Sequence, residues 1–114
     1  MTKPLKIGSI ILAPLNDHHG KISLHFAVVM TSDADIAAGS DLVVAAISTS
    51  FLPLPLPANW FPVDSVPVIG HPITGLKEAC VVKDVWRDIV RQIDVVEIRG
   101  RLQSRIFRQL TPLP

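Results

Sequence analysis

The sequence predicts a mainly β domain, a small antiparallel barrel or tightly curled sheet with one C-terminal α-helix packed on it. Three observations predict it. Short apolar runs rich in valine and isoleucine recur between turn residues, at residues 7–13, 22–30 and 42–48. Prolines interrupt the middle of the chain, where neither a helix nor a central strand can run through them. Only LQSRIFRQL, residues 102–110, sets its apolar side chains on one helical face with arginines opposite.

IGSIILA (residues 7–13) is apolar on both faces and predicts a central strand, ended by Pro14. LNDHHGK (residues 15–21) is a polar loop with a glycine near its far end. ISLHFAVVM (residues 22–30) predicts the second strand, so the pair reads as an antiparallel hairpin with a long tip. TSDADIAAGS (residues 31–40) is small and polar, a loop with room for one helical turn at residues 34–38.

The chain is organised around LVVAAISTS (residues 42–50), an apolar run followed by three hydroxyls, Ser48, Thr49 and Ser50. Such a run belongs in the middle of a sheet, buried on both faces. Hydroxyls at its end are held rigidly, which suits a site. They equally serve to end the strand and bond the next turn.

FLPLPLP (residues 51–57) favours an extended polyproline path, expected as a loop laying its leucines on the core. WFPVDSVPVI (residues 60–69) resumes an extended pattern, and Pro62 and Pro67 make it an edge strand. Turns follow at His71-Pro72 and at residues 75–78, then a short strand at residues 79–82. Val85, Trp86, Ile89, Val90 and Ile93 fit a helix, against a competing strand through VVEIRGRL. The last segment, with Leu102, Ile106, Phe107 and Leu110 aligned, stops before Pro112.

The totals bound the function. Residues 1–114 suit one domain. Hydrophobic residues make up 48% and charged residues 18%, with mean hydropathy +0.40. That is apolar for so small a surface, so a dimer or a complex is expected. No apolar run approaches the ~18 residues of a membrane helix, and MTKPLKIG lacks the apolar core of a signal peptide. No membrane role is expected. The single cysteine, Cys80, allows no internal disulfide, fits a reducing cytoplasm and lies in an apolar run as a core residue would. Net charge is only +1, which argues against a globally basic nucleic-acid binder. Eight of the 11 lysines and arginines nevertheless lie beyond residue 76, interleaved with carboxylates. They form either a self-paired face or one turned toward a polyanion or an acidic partner.

No metal-ligand spacing and no phosphate-cradling glycine loop occurs. His18 and His19 are adjacent, so in extended chain they point apart. Imidazole is still the ordinary proton carrier near neutrality, which keeps the histidines in view. A base-stacking platform would have to use Trp60, Phe61, Trp86 or Phe26, since aromatics are 5% and tyrosine is absent.

The order of features is more specific than any one of them. The stretches at residues 8–12, 27–32, 42–50, 75–82 and 100–110 together resemble the PemK/MazF-like toxin family over almost the whole chain. The resemblance implies a small antiparallel SH3-like barrel of the CcdB/PemK type with a C-terminal helix, forming a homodimer. It implies an endoribonuclease toxin of a type II toxin–antitoxin system, needing no metal or other cofactor. Such a toxin cleaves single-stranded RNA and is held inactive by a cognate acidic antitoxin. The family's catalytic arginine falls on His25, and its hydroxyl on Ser48 with Thr49 beside it. The mobile loop that closes over RNA falls on Asp17, His18, His19 and Lys21. Histidine replaces the proton-carrying part of the arginine but not its fork of donors. The alternative is a barrel of the same shape that only binds, with nucleic acid or a protein as its partner.

Overall fold

The computed structural model describes residues 4–17, 19–49 and 54–114. Near-continuous valine, isoleucine and alanine make LVVAAIS a strand with no polar face to offer water, and the sheet is built outward from it. The strands are β1 (Ser9–Asn16), β2 (Ile22–Val29), β3 (Leu42–Ser48), β4 (Trp60–Val63), β5 (Cys80–Val90) and β6 (Glu97–Arg101). They form one six-stranded sheet in the order β4-β5-β3-β2-β1-β6, with every neighbouring pair antiparallel. Among the described residues two short α-helices, α1 (Asp33–Ala37) and α2 (Ser104–Phe107), and a 3-10 turn at Gln92–Asp94 complete it. Among the described residues no helix is long and apolar enough to cross a membrane.

Both faces of the sheet are buried. One carries Ile10, Val28, Ala45, Ile47 and Val82, covered by Leu76 and by Leu102, Ile106 and Leu110 from the C-terminal segment. The other carries Ile11, Ala13, Ala27, Val29, Val44 and Ala46, closed by Trp86 and Val90. This second face turns inward. Two strands, β2 and β3, separate β1 from β5 in the sheet, yet the backbones of β1 and β5 approach. The Trp86 indole N–H donates to the Asn16 carbonyl at 2.9 Å, and the Asn16 N–H donates to an Asp88 carboxylate oxygen at 2.8 Å. Asp17 N–H bonds across the hairpin to Lys21 O. By strand alternation the Asn16 groups therefore face away from β2, where β6 has already ended. Side chains of β5 thus supply the partners that a backbone ladder would have given. The sheet curls but does not close, and β4 and β6 remain its ends.

The first strand outruns expectation. Pro14 does not end it; β1 continues to Asn16. The Leu12 carbonyl accepts from Val96 beside β6, so Pro14 turns its nitrogen the same way, past the last β6 pair at Leu12–Glu97. No donor is missed there, which is where a strand tolerates proline. The hairpin tip shrinks accordingly to a turn at residues 17–21.

Residues 85–93 are not a helix. They belong mostly to β5, whose donors and acceptors are claimed by β3 on one side and, near its start, by β4 on the other. The misleading spacing has a cause. Ala45 pairs with Arg87 but Ile47 with Val82, so residues 83–86 arc away from β3. The arc exchanges the faces: Cys80 and Val82 join one core, Trp86 and Val90 the other. The expected edge strand is present as β4, but it stops at Val63. Beyond it, Val66 and His71 N–H groups both donate to Leu76 O, and Gly70 N–H donates to Val66 O. The C-terminal helix is shorter than its periodicity, because Leu102 N–H is already engaged by Gly8 O. Its buried face is still Leu102, Ile106 and Leu110. Leu54 is 91% exposed, so that leucine of the proline-rich loop does not pack on the core; residues 50–53 lie outside the described part of the chain.

The β5 arc also anchors the C-terminal tail. The Thr111 hydroxyl donates to Asp84 at 2.6 Å and its N–H at 3.0 Å, and Arg87 donates to Asp84 and to Thr111 O. Burial alone would raise the Asp84 pKa. The hydrogen bonds from Thr111 and Arg87, with the Arg87 charge, outweigh it and hold the carboxyl below its ordinary 3.8. Since the folded pKa is depressed, this stabilisation is present above pH 3.8 and is lost as pH falls below it. Asp84→Asn should therefore destabilise the protein by about 2 kcal/mol at pH 7 in chemical unfolding. The gap to wild type should narrow toward pH 3. A second expectation concerns Val68, which has φ 68° and centres a tight turn closed by Ile69 N–H to Pro67 O at 2.8 Å. Val68 is exposed, so relief of strain is the main effect of replacing it. Val68→Gly should raise stability by about 1 kcal/mol, net of glycine's larger entropy loss.

Candidate functional site

Antiparallel pairing brings the ends of several strands to one end of the sheet. These are the end of β1 at Asn16, the start of β2 at residues 22–25, the end of β3 at Ser48 and the start of β5. Trp60 of β4 lies beside them, paired with Lys83.

His25 alternates with Ala27 and Val29 and so lies on the inward face. It is half-buried, sits opposite Ala13 of β1, and packs edge to face on Trp86 with ring centroids 5.1 Å apart at 68°. Its Nε2 is 2.9 Å from the Ser23 hydroxyl. Ser48 alternates with Val44 and Ala46 and lies on the same face, 6% exposed. β2 and β3 pair from Val29–Val44 to Ala27–Ala46. That register, carried two residues further, sets His25 abreast of Ser48, although the ladder stops short of them. Thr49 is exposed just beyond the strand.

The turn at residues 17–21 is ordered by Asp17. One carboxylate oxygen accepts from His19 N–H at 2.8 Å and Lys21 N–H at 2.9 Å, while Gly20 N–H donates to Asp17 O. Asp17 thus shapes the turn that presents His19 and Lys21, both exposed. His18 lies outside the described residues.

Sequence reasoning weighed Trp86 for stacking but missed that it joins His25 to the strap at Asn16. It also passed over Ser23 and Lys83. The Lys83 ammonium lies 4.1 Å from the Trp60 ring centroid and 5.8 Å from that of Trp86. These rings line an open cleft of about 520 Å³ with Asn16, Asp17, Val85 and Asp88. The alternation of Ser23 with His25 could have flagged the first contact. Nothing local signals the second, because Trp60 and Lys83 meet only through strand pairing.

Among the described residues four of the eight C-terminal cations are ion-paired: Arg87 with Asp84, Arg91 with Asp94, Arg99 with Glu97, and Arg105 with Asp64. Among the described residues no three histidine, cysteine or carboxylate side chains converge to hold a metal ion. His71 serves a turn: its Nδ1 accepts from Ile73 and Thr74 N–H groups at 3.1 and 3.3 Å.

Cys80 is buried in the outer core, as expected, and burial, with the nearby Glu78 charge, pushes its thiol up to about 11. A thiol-reactive dye should leave it unmodified in the native protein at pH 8 and label it fully in denaturant, as read by mass spectrometry. No protein-family model and no curated protein matches the chain.

Proposed function

We propose that the chain is an endoribonuclease resembling the PemK/MazF-like toxins, a barrel of the SH3-like CcdB/PemK kind acting as a cytoplasmic homodimer. Its substrate is single-stranded RNA, and an acidic antitoxin partner restrains it. The observation that carries this reading is the β2–β3 register, which puts an imidazole and a hydroxyl on one face at one end of the sheet.

The chemistry is a transesterification. The ribose 2′-oxygen attacks the adjacent phosphorus and gives its proton to a base. The P–O5′ bond breaks, and the 5′-oxygen takes a proton from an acid. A 2′,3′-cyclic phosphate and a 5′-hydroxyl result. His25 takes one proton-transfer role and His18 or His19 the other. Ser48, with Thr49 beside it, donates to a phosphoryl oxygen, and Lys21 supplies positive charge as the phosphorane forms. Asp17 holds the turn that carries these groups toward the backbone of the RNA.

A second reading is a barrel that binds RNA or a protein without cutting. The burial of Ser48 favours it, since the hydroxyl of a residue only 6% exposed meets a phosphate only if the strand end moves.

Unstructured RNA incubated with micromolar protein in EDTA should yield cyclic-phosphate ends. The pH–rate profile should be bell-shaped, centred at about pH 6–7 as two imidazoles sharing the work require. His25→Ala should lower the rate at least about 100-fold, and Ser48→Ala about 10- to 100-fold. Intact RNA, or cleavage indifferent to both substitutions, selects the binding reading.

A further inference from the structure

The cleft between Trp60 and Trp86 is built from parts that meet only in the fold. Both tryptophans of the chain are half-buried at the end of the sheet that holds His25. Each ring is placed. The Trp86 indole is held by its N–H bond to Asn16 O and by the His25 ring against it. The Trp60 backbone is held by β4 pairing opposite Lys83 and by its main-chain N–H bond to Pro57 O, and its ring lies against the Lys83 ammonium. The arc at residues 83–86 lifts Lys83 and Trp86 off the β3 ladder.

Between the rings stands a cation. Lys83 has no carboxylate within ion-pair distance among the pairs found in the described residues, and its ammonium lies over indole faces instead. The neighbouring carboxylates are engaged by backbone donors: Asp88 by Asn16 and Ile89, Asp17 by His19 and Lys21. Flat apolar faces with an ammonium beside them match a base and its adjoining phosphate.

We propose that this cleft is a nucleobase subsite for single-stranded RNA. A base stacks on Trp60 in the place now held by the Lys83 ammonium, and the ammonium swings out to the flanking phosphate. The exchange replaces a cation–π contact with base stacking and a charge-assisted contact. Because Trp86 touches both the cleft and His25, a base held here sets the position of the neighbouring phosphodiester relative to the imidazole. The subsite rests on the RNA reading of this end of the sheet, but not on catalysis.

The test uses the whole chain and a 2′-O-methyl oligoadenylate eight nucleotides long, which binds but has no 2′-hydroxyl to react. Binding should quench tryptophan fluorescence. Anisotropy of a labelled oligonucleotide should show Trp60→Ala weakening binding about 10-fold, with Trp60→Phe recovering most of it. Lys83→Met should weaken binding several-fold and reduce the salt slope by about 0.7, one phosphate contact. Each variant is compared at matched thermal unfolding midpoints, so a folding defect is seen separately. Trp60→Ala and Lys83→Met that bind like wild type overturn the subsite, even if RNA is cut normally. Quenching by an acidic peptide and not by RNA overturns it as well. Quenching by RNA with the expected losses, but no cleavage of ordinary RNA, leaves the subsite standing and removes the nuclease.

Discussion

The two hydrogen bonds at Asn16 decide the shape of this protein. A strand end whose neighbour has stopped leaves a main-chain N–H and C=O in need of partners. Here Asp88 and Trp86, from a strand three places away in the sheet, provide both. For them to reach, the sheet must curl until β5 stands over the free side of β1. The curl buries the inward core of alanine, valine and isoleucine. It also brings an indole against His25. The strap and the candidate site are therefore one structure, and Trp86 belongs to both.

The outward face needed a different solution. It too is lined by apolar side chains, and the curl that closes the inward face cannot cover it. The C-terminal segment does so with Leu102, Ile106 and Leu110, and the loop before β5 adds Leu76. Close backbone approach makes this cover fit. Gly100 of β6 leaves no room for a side chain against the carbonyls of Ile73 and Thr74, and Arg101 N–H donates to Ile73 O there. That bond also occupies part of the exposed edge of β6. The tail is then fastened by Thr111 to Asp84. Once both cores are closed, the polar end of the sheet is where imidazole, hydroxyl, indole and ammonium groups collect.

The electrostatics follow the same division. Half of the cations that crowd the C-terminal third, Arg87, Arg91, Arg99 and Arg105, are bound to nearby carboxylates among the described residues, and exposed pairs of that kind contribute little to stability. Lys83 differs from these in lying over the Trp60 ring. Charge counted by segment points to the arginine-rich end; the fold directs attention to Lys83 beside the tryptophans and to Lys21 on the hairpin turn.

Runs of β-branched residues suffice to place β2, β3 and the central position of β3, because a strand apolar on both faces has only the interior of a sheet to occupy. Prolines likewise restrict β4 to an edge, and the spacing of Leu102, Ile106 and Leu110 marks the face that is buried. Those features depend on a residue and its near neighbours. The length of β5 and its change of face do not, because the arc at residues 83–86 exists only where two partner strands pull on different parts of it. The passage of Pro14 through β1 depends on where β6 stops. The company of His25 is of the same kind: Ser23 is local, but Trp86 is 61 residues away and arrives through the curl. Amino-acid order by itself determined which segments are extended and which side chains must leave water. Tertiary structure alone decided which polar groups share a site, because that depends on register and curvature, and these arise only when distant strands satisfy one another's backbone.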